Sequence, residues 1–159
     1  MIKRIMSVVV ILGLLFFVVS AHAEQARYAS VVKIKGIVQV KEASVSDWSL
    51  AKEGMILHQN DEIRTDKDSQ AQLLLDKDGS TGQIELKEQT RLKLNTLIAN
   101  EDKHEKTTLL DVAIGRVMVH VEKLKGDSKF EINTPTSTMG VRGTTFEVEV
   151  EDKDVKKTK

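Results

Sequence analysis

The residues best suited to chemistry lie together in one segment, residues 134–146. Within it two glycines bracket an arginine. Glycine lets the backbone turn sharply, and a guanidinium is a planar donor that suits a carboxylate or a phosphate. The segment therefore predicts an interaction loop. A purely structural role is the alternative, and the sequence favours it over the interaction loop. In that role the glycines form a bulge before a strand and the arginine binds a neighbouring strand. The predicted loop consists of Gly140, Arg142, Gly143 and Thr144.

The sequence offers little for a metal site or an enzyme. Asp76 and Asp78 resemble the start of a calcium loop, but the bidentate glutamate at the far end of such a loop is missing. The chain has no cysteine and no glycine-rich phosphate loop. His58 and His104 fall in predicted loops, and His120 falls on the polar face of a predicted strand. Because no nucleophile, base and oxyanion hole can be assembled, we predict a protein that is not an enzyme, with no catalytic residue, metal or cofactor.

Residues 1–23 predict a cleaved export signal. Two basic residues stand before an apolar run over residues 5–19, and the small residues Ala21 and Ala23 occupy the positions that signal peptidase requires. An uncleaved anchor is the competing interpretation, although a membrane span needs about 20 apolar residues. We expect cleavage before Glu24, no membrane span after the signal is removed, and a periplasmic or secreted protein.

Composition restricts the partner. Residues 1–23 hold two basic and no acidic side chains, so their removal leaves 22 basic against 24 acidic side chains and a net charge of −2. Nucleic acid usually selects a basic surface, which this balance does not provide. We expect no nucleic acid partner. Without disulfides the remaining chain must bury a proper core, and its length suits one domain over residues 24–150, followed by a charged tail over residues 151–159.

Alternating apolar and polar residues predict strands along this domain, since period two places successive side chains on opposite faces. Turn residues separate the runs, and Pro135 ends one of them. The pattern predicts an all-β fold, which is either a sandwich or a β-roll similar to a β-solenoid. Residues 95–106 lack the alternation and are predicted to form an exposed loop, and Trp48 is expected in the core. The apolar members of the predicted strands are Val32, Ile34, Val38, Val40, Ala71, Leu73, Leu75, Ile84, Leu86, Leu92, Leu94, Val117, Val119, Val121, Phe130, Ile132, Phe146, Val148 and Val150.

Several short motifs follow one another along the chain: Gly36-x-Val38, Trp48, Gly54-Met55-x-Leu57, Asp61-x-Ile63-x-Thr65, Ala71-x-Leu73-x-Leu75-x-x-Asp78-Gly79-Ser80, residues 109–115, Phe130-x-Ile132-x-Thr134-Pro135 and Val141-Arg142-Gly143-Thr144-x-Phe146-x-Val148. Their order resembles the FecR family, named for the ferric-citrate transport regulator. The resemblance implies an all-β extracytoplasmic domain that in membrane-anchored relatives receives a signal from an outer-membrane receptor. Those relatives also carry a cytoplasmic segment that controls a sigma factor, and we expect this stand-alone form to lack that role.

Two functions of different classes follow. The first is an exported FecR-type binding or sensing domain that acts through protein–protein interaction or ligand recognition in envelope signalling, with an extracytoplasmic protein as its partner. The second is a structural module that binds the cell envelope or a polysaccharide, in which exposed strand faces or Trp48 meet a glycan.

Overall fold

The computed structural model describes residues 24–77 and 79–151, and these residues form strands, turns and loops but no helix. The predicted all-β fold is confirmed. The predicted signal peptide, Asp78 and most of the predicted tail lie outside the described residues. The strands are β1 (Gln25–Ala26), β2 (Ala29–Lys35), β3 (Val38–Lys41), β4 (Ser49–Leu50), β5 (Ile56–Leu57), β6 (Glu62–Thr65), β7 (Gln70–Leu75), β8 (Gly82–Leu86), β9 (Arg91–Asn100), β10 (Glu105–Val121), β11 (Lys129–Asn133), β12 (Thr138–Val141) and β13 (Thr145–Val150).

One long strand, β10, organises the molecule. The strands follow the order β4-β3-β6-β9-β10-β8-β7-β2-β5 in a sheet that curls into a half-barrel. The first part of β10 pairs antiparallel with β9 and parallel with β11. Its last part pairs antiparallel with β8 and β13. The curled sheet can therefore be described as two sheets that share β10. The first sheet contains β9 and β11 beside the first part of β10, and the second contains β8 and β13 beside its last part.

The change of partners falls at Gly115. Its φ is +95°, a left-handed conformation that side chains disfavour. A Cβ on this residue would lie 2.5 Å from Thr90 Cα and 2.6 Å from Gln89 O. Before this point the buried residues of β10 have even numbers, among them Leu110, and after it they have odd numbers, among them Val117. The pairing with β9 shifts register between Val112 and Ile114, just before Gly115, and this one additional residue reverses the phase so that both parts of β10 present apolar side chains to the core.

The core is built from the predicted alternation. The apolar residues that alternation places on the inner face of β7, β8, the first part of β9, the last part of β10 and β11 are buried. Burying each of the larger of these side chains contributes about 1.5–3 kcal/mol. They are Ala71, Leu73, Leu75, Ile84, Leu86, Leu92, Leu94, Val117, Val119, Val121, Phe130 and Ile132.

The predicted phase of β2 is wrong for Val32 and right for Ile34, which is half-buried and packs against the core. Its pairing with β7 shifts register between Val31 and Lys33, so the strand carries a bulge. Val31 is fully buried as a result, while Val32 is 38% exposed. One additional residue in a strand reverses the faces of those that follow, which simple alternation does not reveal.

The predicted loop over residues 95–106 is also wrong, because β9 runs to Asn100 and β10 begins at Glu105. Only four residues form the turn between them. The pairing shifts register between Leu109 and Leu110, where Asn95 is an additional residue in β9. The buried residues of β9 therefore have even numbers before this bulge, such as Leu94, and odd numbers after it, such as Leu97. The interrupted alternation therefore reflects a bulged strand.

Candidate functional site: an open seam between β12 and β13

β12 and β13 follow one another in the chain but do not pair. β12 pairs with β11, at one end of the first sheet, and β13 pairs with β10 in the second. Residues 142–144 join them, so two strands that are consecutive in the chain belong to different sheets. Among the described residues each strand has one ladder partner only, and its other edge bears backbone groups with no strand beside them. We call the space between the two strands the seam.

A groove of about 560 Å³ lies in the seam. Its floor is the part of β10 just before Gly115, and its two walls come from the two separate sheets. Val148 is buried, whereas Met139 and Ile114 are half-buried and remain accessible from the groove. The groove thus combines an apolar floor with a polar turn on one side and glutamates on the other. It is lined by Ala113, Ile114, residues 134–137, Met139 and residues 147–151.

The outer face of β13 is acidic. Thr145, Glu147 and Glu149 are exposed, in alternation with apolar residues that face inwards. Arg116 on β10 binds both glutamates, with Nη2 at 2.9 Å from Glu149 Oε1 and Nε at 3.4 Å from Glu147 Oε1. The hydrogen bond and the charge of Glu149 raise the pKa of Arg116 above its ordinary value. One cation thus faces two carboxylates, and the row keeps a net negative charge.

The predicted interaction loop forms the closed end of the seam. Gly140 lies in β12, Gly143 has a φ of +65°, and Thr144 lies just before β13. All four loop residues are exposed. Arg142 donates a hydrogen bond from Nη2 to Gly126 O at 2.8 Å. The guanidinium therefore contacts a backbone carbonyl in the turn between β10 and β11, which is not a strand, and the role of the loop in binding stays a prediction.

Sequence reasoning missed a polar cluster centred on Arg27 and Asp76. Arg27 is only 7% exposed. Its Nε lies 2.7 Å from Asp76 Oδ1 and its Nη2 lies 3.0 Å from Asp76 Oδ2. The guanidinium also donates to the hydroxyls of Thr81 and Thr108, each at 2.9 Å. Lys106 Nζ binds Asp76 Oδ2 at 2.7 Å. This cluster ties the loop after β1 to the β7–β8 turn and to β10.

The same cluster explains the acidic turn that resembles the start of a calcium loop. Burial acts to raise the pKa of Asp76, but hydrogen bonds from Arg27, Lys106 and Thr81 outweigh it and lower the pKa to about 2. Both carboxylate oxygens already accept from protein cations. Within residues 24–77 and 79–151 no three acidic or histidine side chains are grouped so as to hold a metal ion. Asp76 acts here as the anion of a structural ion cluster.

Trp48 does not lie in the core, contrary to expectation. It is half-buried on the surface, beside β3, β6 and β9. Arg64 lies over its ring with Cζ 4.2 Å from the centroid, and cations of Lys41 and Arg91 lie at 5.5 Å. Glu62 binds Lys41 at 2.7 Å and Arg91 at 2.6 Å. The only tryptophan therefore packs against cations.

The three histidines within residues 24–77 and 79–151 lie apart and on the surface. His58 and His104 are exposed outside the strands. His120 is on the outer face of β10, where Nδ1 lies 2.6 Å from Thr145 Oγ1 and Nε2 lies 3.1 Å from Glu122 Oε1. These positions agree with the prediction of surface histidines.

Comparison with known proteins places the chain beside a known family. A family model described as FecR protein matches residues 61–158, which is more than half of the 159 residues. No curated protein and no solved structure matches significantly. In the part of the chain that the structure describes, no helix is long and apolar enough to cross a membrane. The matched region includes β10 and the whole seam.

Proposed function

Because the chain belongs to the FecR protein family, we propose that it is an exported domain that binds another protein of the cell envelope through the seam. The family is one of signalling and sensing domains of the envelope. Binding through the seam and release outside the cytoplasm are the specific parts of this proposal.

The observation that carries the proposal is the pair of open strand edges beside an apolar groove. An open edge presents a row of backbone donors and acceptors, which natural proteins cover, charge or use for binding. Here the edges flank a groove in which Met139 and Ile114 remain accessible. An extended segment of another protein can satisfy both the backbone groups and the apolar floor, which a small polar ligand cannot.

Export rests on the order of features in residues 1–23. A basic start, an apolar run and the small residues Ala21 and Ala23 together form a complete export signal. Cleavage before Glu24 leaves the FecR-type domain outside the cytoplasm, in the periplasm or the medium.

The glycan-binding alternative receives some support from Trp48, which is at the surface. An exposed aromatic ring offers a flat face to a sugar. However, Arg64 already lies 4.2 Å from the ring centroid. A glycan that stacks on that face has to displace the guanidinium, so this second function is less well supported than protein binding.

Crosslinking in cells tests the main proposal. A photoreactive amino acid replaces Thr144, at the closed end of the seam, in the tagged full-length protein. A second variant carries it at Lys67, in an exposed turn between β6 and β7. One dominant protein adduct at position 144 and none at position 67 supports the proposal. Equal labelling at both positions, or no protein adduct, contradicts it. Mass spectrometry of the N-terminus separately tests cleavage before Glu24.

A further inference from the structure

Building on the proposed function, we infer that the seam accepts an extended strand of the partner protein that pairs with β13 and alternates basic with apolar residues. The inference specifies both the edge that is used and the chemistry of the partner. It rests on the length of β13, on the charges of its outer face and on the apolar groove beneath its inner face.

β13 is the best acceptor among the strands that end a sheet. It has six residues, compared with four in β12 and two each in β4 and β5. Its ladder to β10 is regular over residues 145–150, with no register shift. A regular edge of this length offers several backbone hydrogen bonds in one row, which is what an added strand requires.

The outer face of β13 selects for basic residues. Directly opposite side chains on neighbouring strands lie about 4.5–5.5 Å apart, so an added strand brings its outward residues close to Glu147 and Glu149. Arg116 lies on β10, on the side of the row away from the open edge, and binds Oε1 of each carboxylate. Lysine or arginine at alternate positions of the added strand completes the pairing from the open side.

The inner face selects for apolar residues. Val148 and Val150 alternate with the glutamates and, like Met139 and Ile114, supply the apolar part of a groove that Glu147 and Glu149 also line. The residues of an added strand that lie between its basic positions point towards this groove, because successive side chains point to opposite faces. Burying these residues of the added strand covers the apolar surface that remains accessible between β12 and β13.

A second copy of this chain is a poor occupant. If two β13 strands pair with their apolar faces on the same side, the row of Thr145, Glu147 and Glu149 from one copy meets the same row from the other. Like charges directly opposite are destabilising. The charges of β13 thus act against self-association and leave the edge for a strand of opposite charge.

The test uses a capped heptapeptide of alternating lysine and valine as the probe. Binding to the protein is measured by calorimetry, and amide hydrogen exchange is followed by NMR in the same samples. We expect binding that weakens as salt increases, with new protection of alternate amides within residues 145–150. The same peptide with glutamate in place of lysine should not bind. Binding without new protection in β13, or protection confined to another strand, overturns the inference.

Charge variants complete the test. E147Q/E149Q removes the acidic row without introducing repulsion and should weaken binding by about tenfold or more. E85Q is the matched control, because Glu85 lies opposite Met118 in the ladder of the same sheet but on β8, away from the edge. Equal affinity in E147Q/E149Q and wild type contradicts the inference. If no peptide binds while crosslinks at position 144 still capture a protein, the inference fails and the proposed function stands.

Discussion

Arg27 and Asp76 form a two-point ion pair, with Nε–Oδ1 at 2.7 Å and Nη2–Oδ2 at 3.0 Å, although 49 residues separate them. Arg27 precedes β2, and Asp76 follows β7, the strand that pairs with β2. The ion pair therefore closes the end of this strand pair and holds it against β10 through Lys106.

Asp76→Asn should lower the free energy of unfolding by about 2–4 kcal/mol, because it leaves the buried Arg27 guanidinium without its anion. Chemical denaturation with urea measures the loss. Asp102→Asn, in the exposed turn between β9 and β10, is the matched control and should change the stability by less than about 0.5 kcal/mol. Equal small losses in both variants would show that the ion pair makes no net contribution.

The contribution of the Asp76 carboxylate to the free energy of unfolding should decrease in acid. Its folded pKa, about 2, lies below the ordinary value of 3.8, so the folded state binds the carboxylate proton less readily than the unfolded state. The stabilisation is therefore present above about pH 4 and is lost as the pH falls towards 2. After allowance for solvent screening we expect the stability gap between wild type and Asp76→Asn to shrink by about 1–2 kcal/mol from pH 5 to pH 2. A gap that stays constant would contradict the low pKa.

Gly115→Ala should destabilise the protein by roughly 2–4 kcal/mol, because the new Cβ meets Thr90 and the backbone must keep a left-handed φ. Thermal unfolding followed by circular dichroism measures the effect. Gly140→Ala serves as the control, since its Cβ meets nothing within 4 Å and its φ is not positive. If both variants unfold at the same temperature, the close approach of β10 to Thr90 is not required.

The stacking of Arg64 on Trp48 should contribute about 0.5–1 kcal/mol. A double-mutant cycle with Trp48→Leu and Arg64→Leu measures this coupling from urea unfolding curves. The same cycle with Lys52→Leu in place of Arg64→Leu should give a coupling near zero, because Lys52 is not among the three cations placed over the ring. Equal coupling in both cycles would count against a specific contact with Arg64.

Sequence alone was sufficient wherever alternation ran without interruption. Leu73 and Leu75, like Val117 and Val119, are buried as their period predicts. It failed at bulges, since Val32 and Leu97 lie on the opposite phase from their neighbours. A bulge depends on the partner strand, which a single-sequence pattern does not contain.

Only those parts of the candidate site that depend on local sequence could be predicted. The glycines beside Arg142 mark the loop at the closed end of the seam, and β13 was recognised from its alternating glutamates. Its open edge was not, because pairing depends on which strands come together in the fold. Nor did any local signal connect Arg27 with Asp76 across 49 residues. Trp48 was misplaced because an aromatic residue favours burial in general, whereas here three cations cover its ring at the surface.

The residue spacing along β10 determines which of its side chains face the core in both sheets. Residues before Gly115 set the face that one sheet buries, and residues after it set the face of the other. Deleting one residue between Gly115 and Val121 would exchange inside for outside for the residues of β10 that follow the deletion and leave the part of β10 before Gly115 in phase. We therefore expect natural length variation to fall in the turns, as at residues 101–104, while the spacing along β10 is held constant.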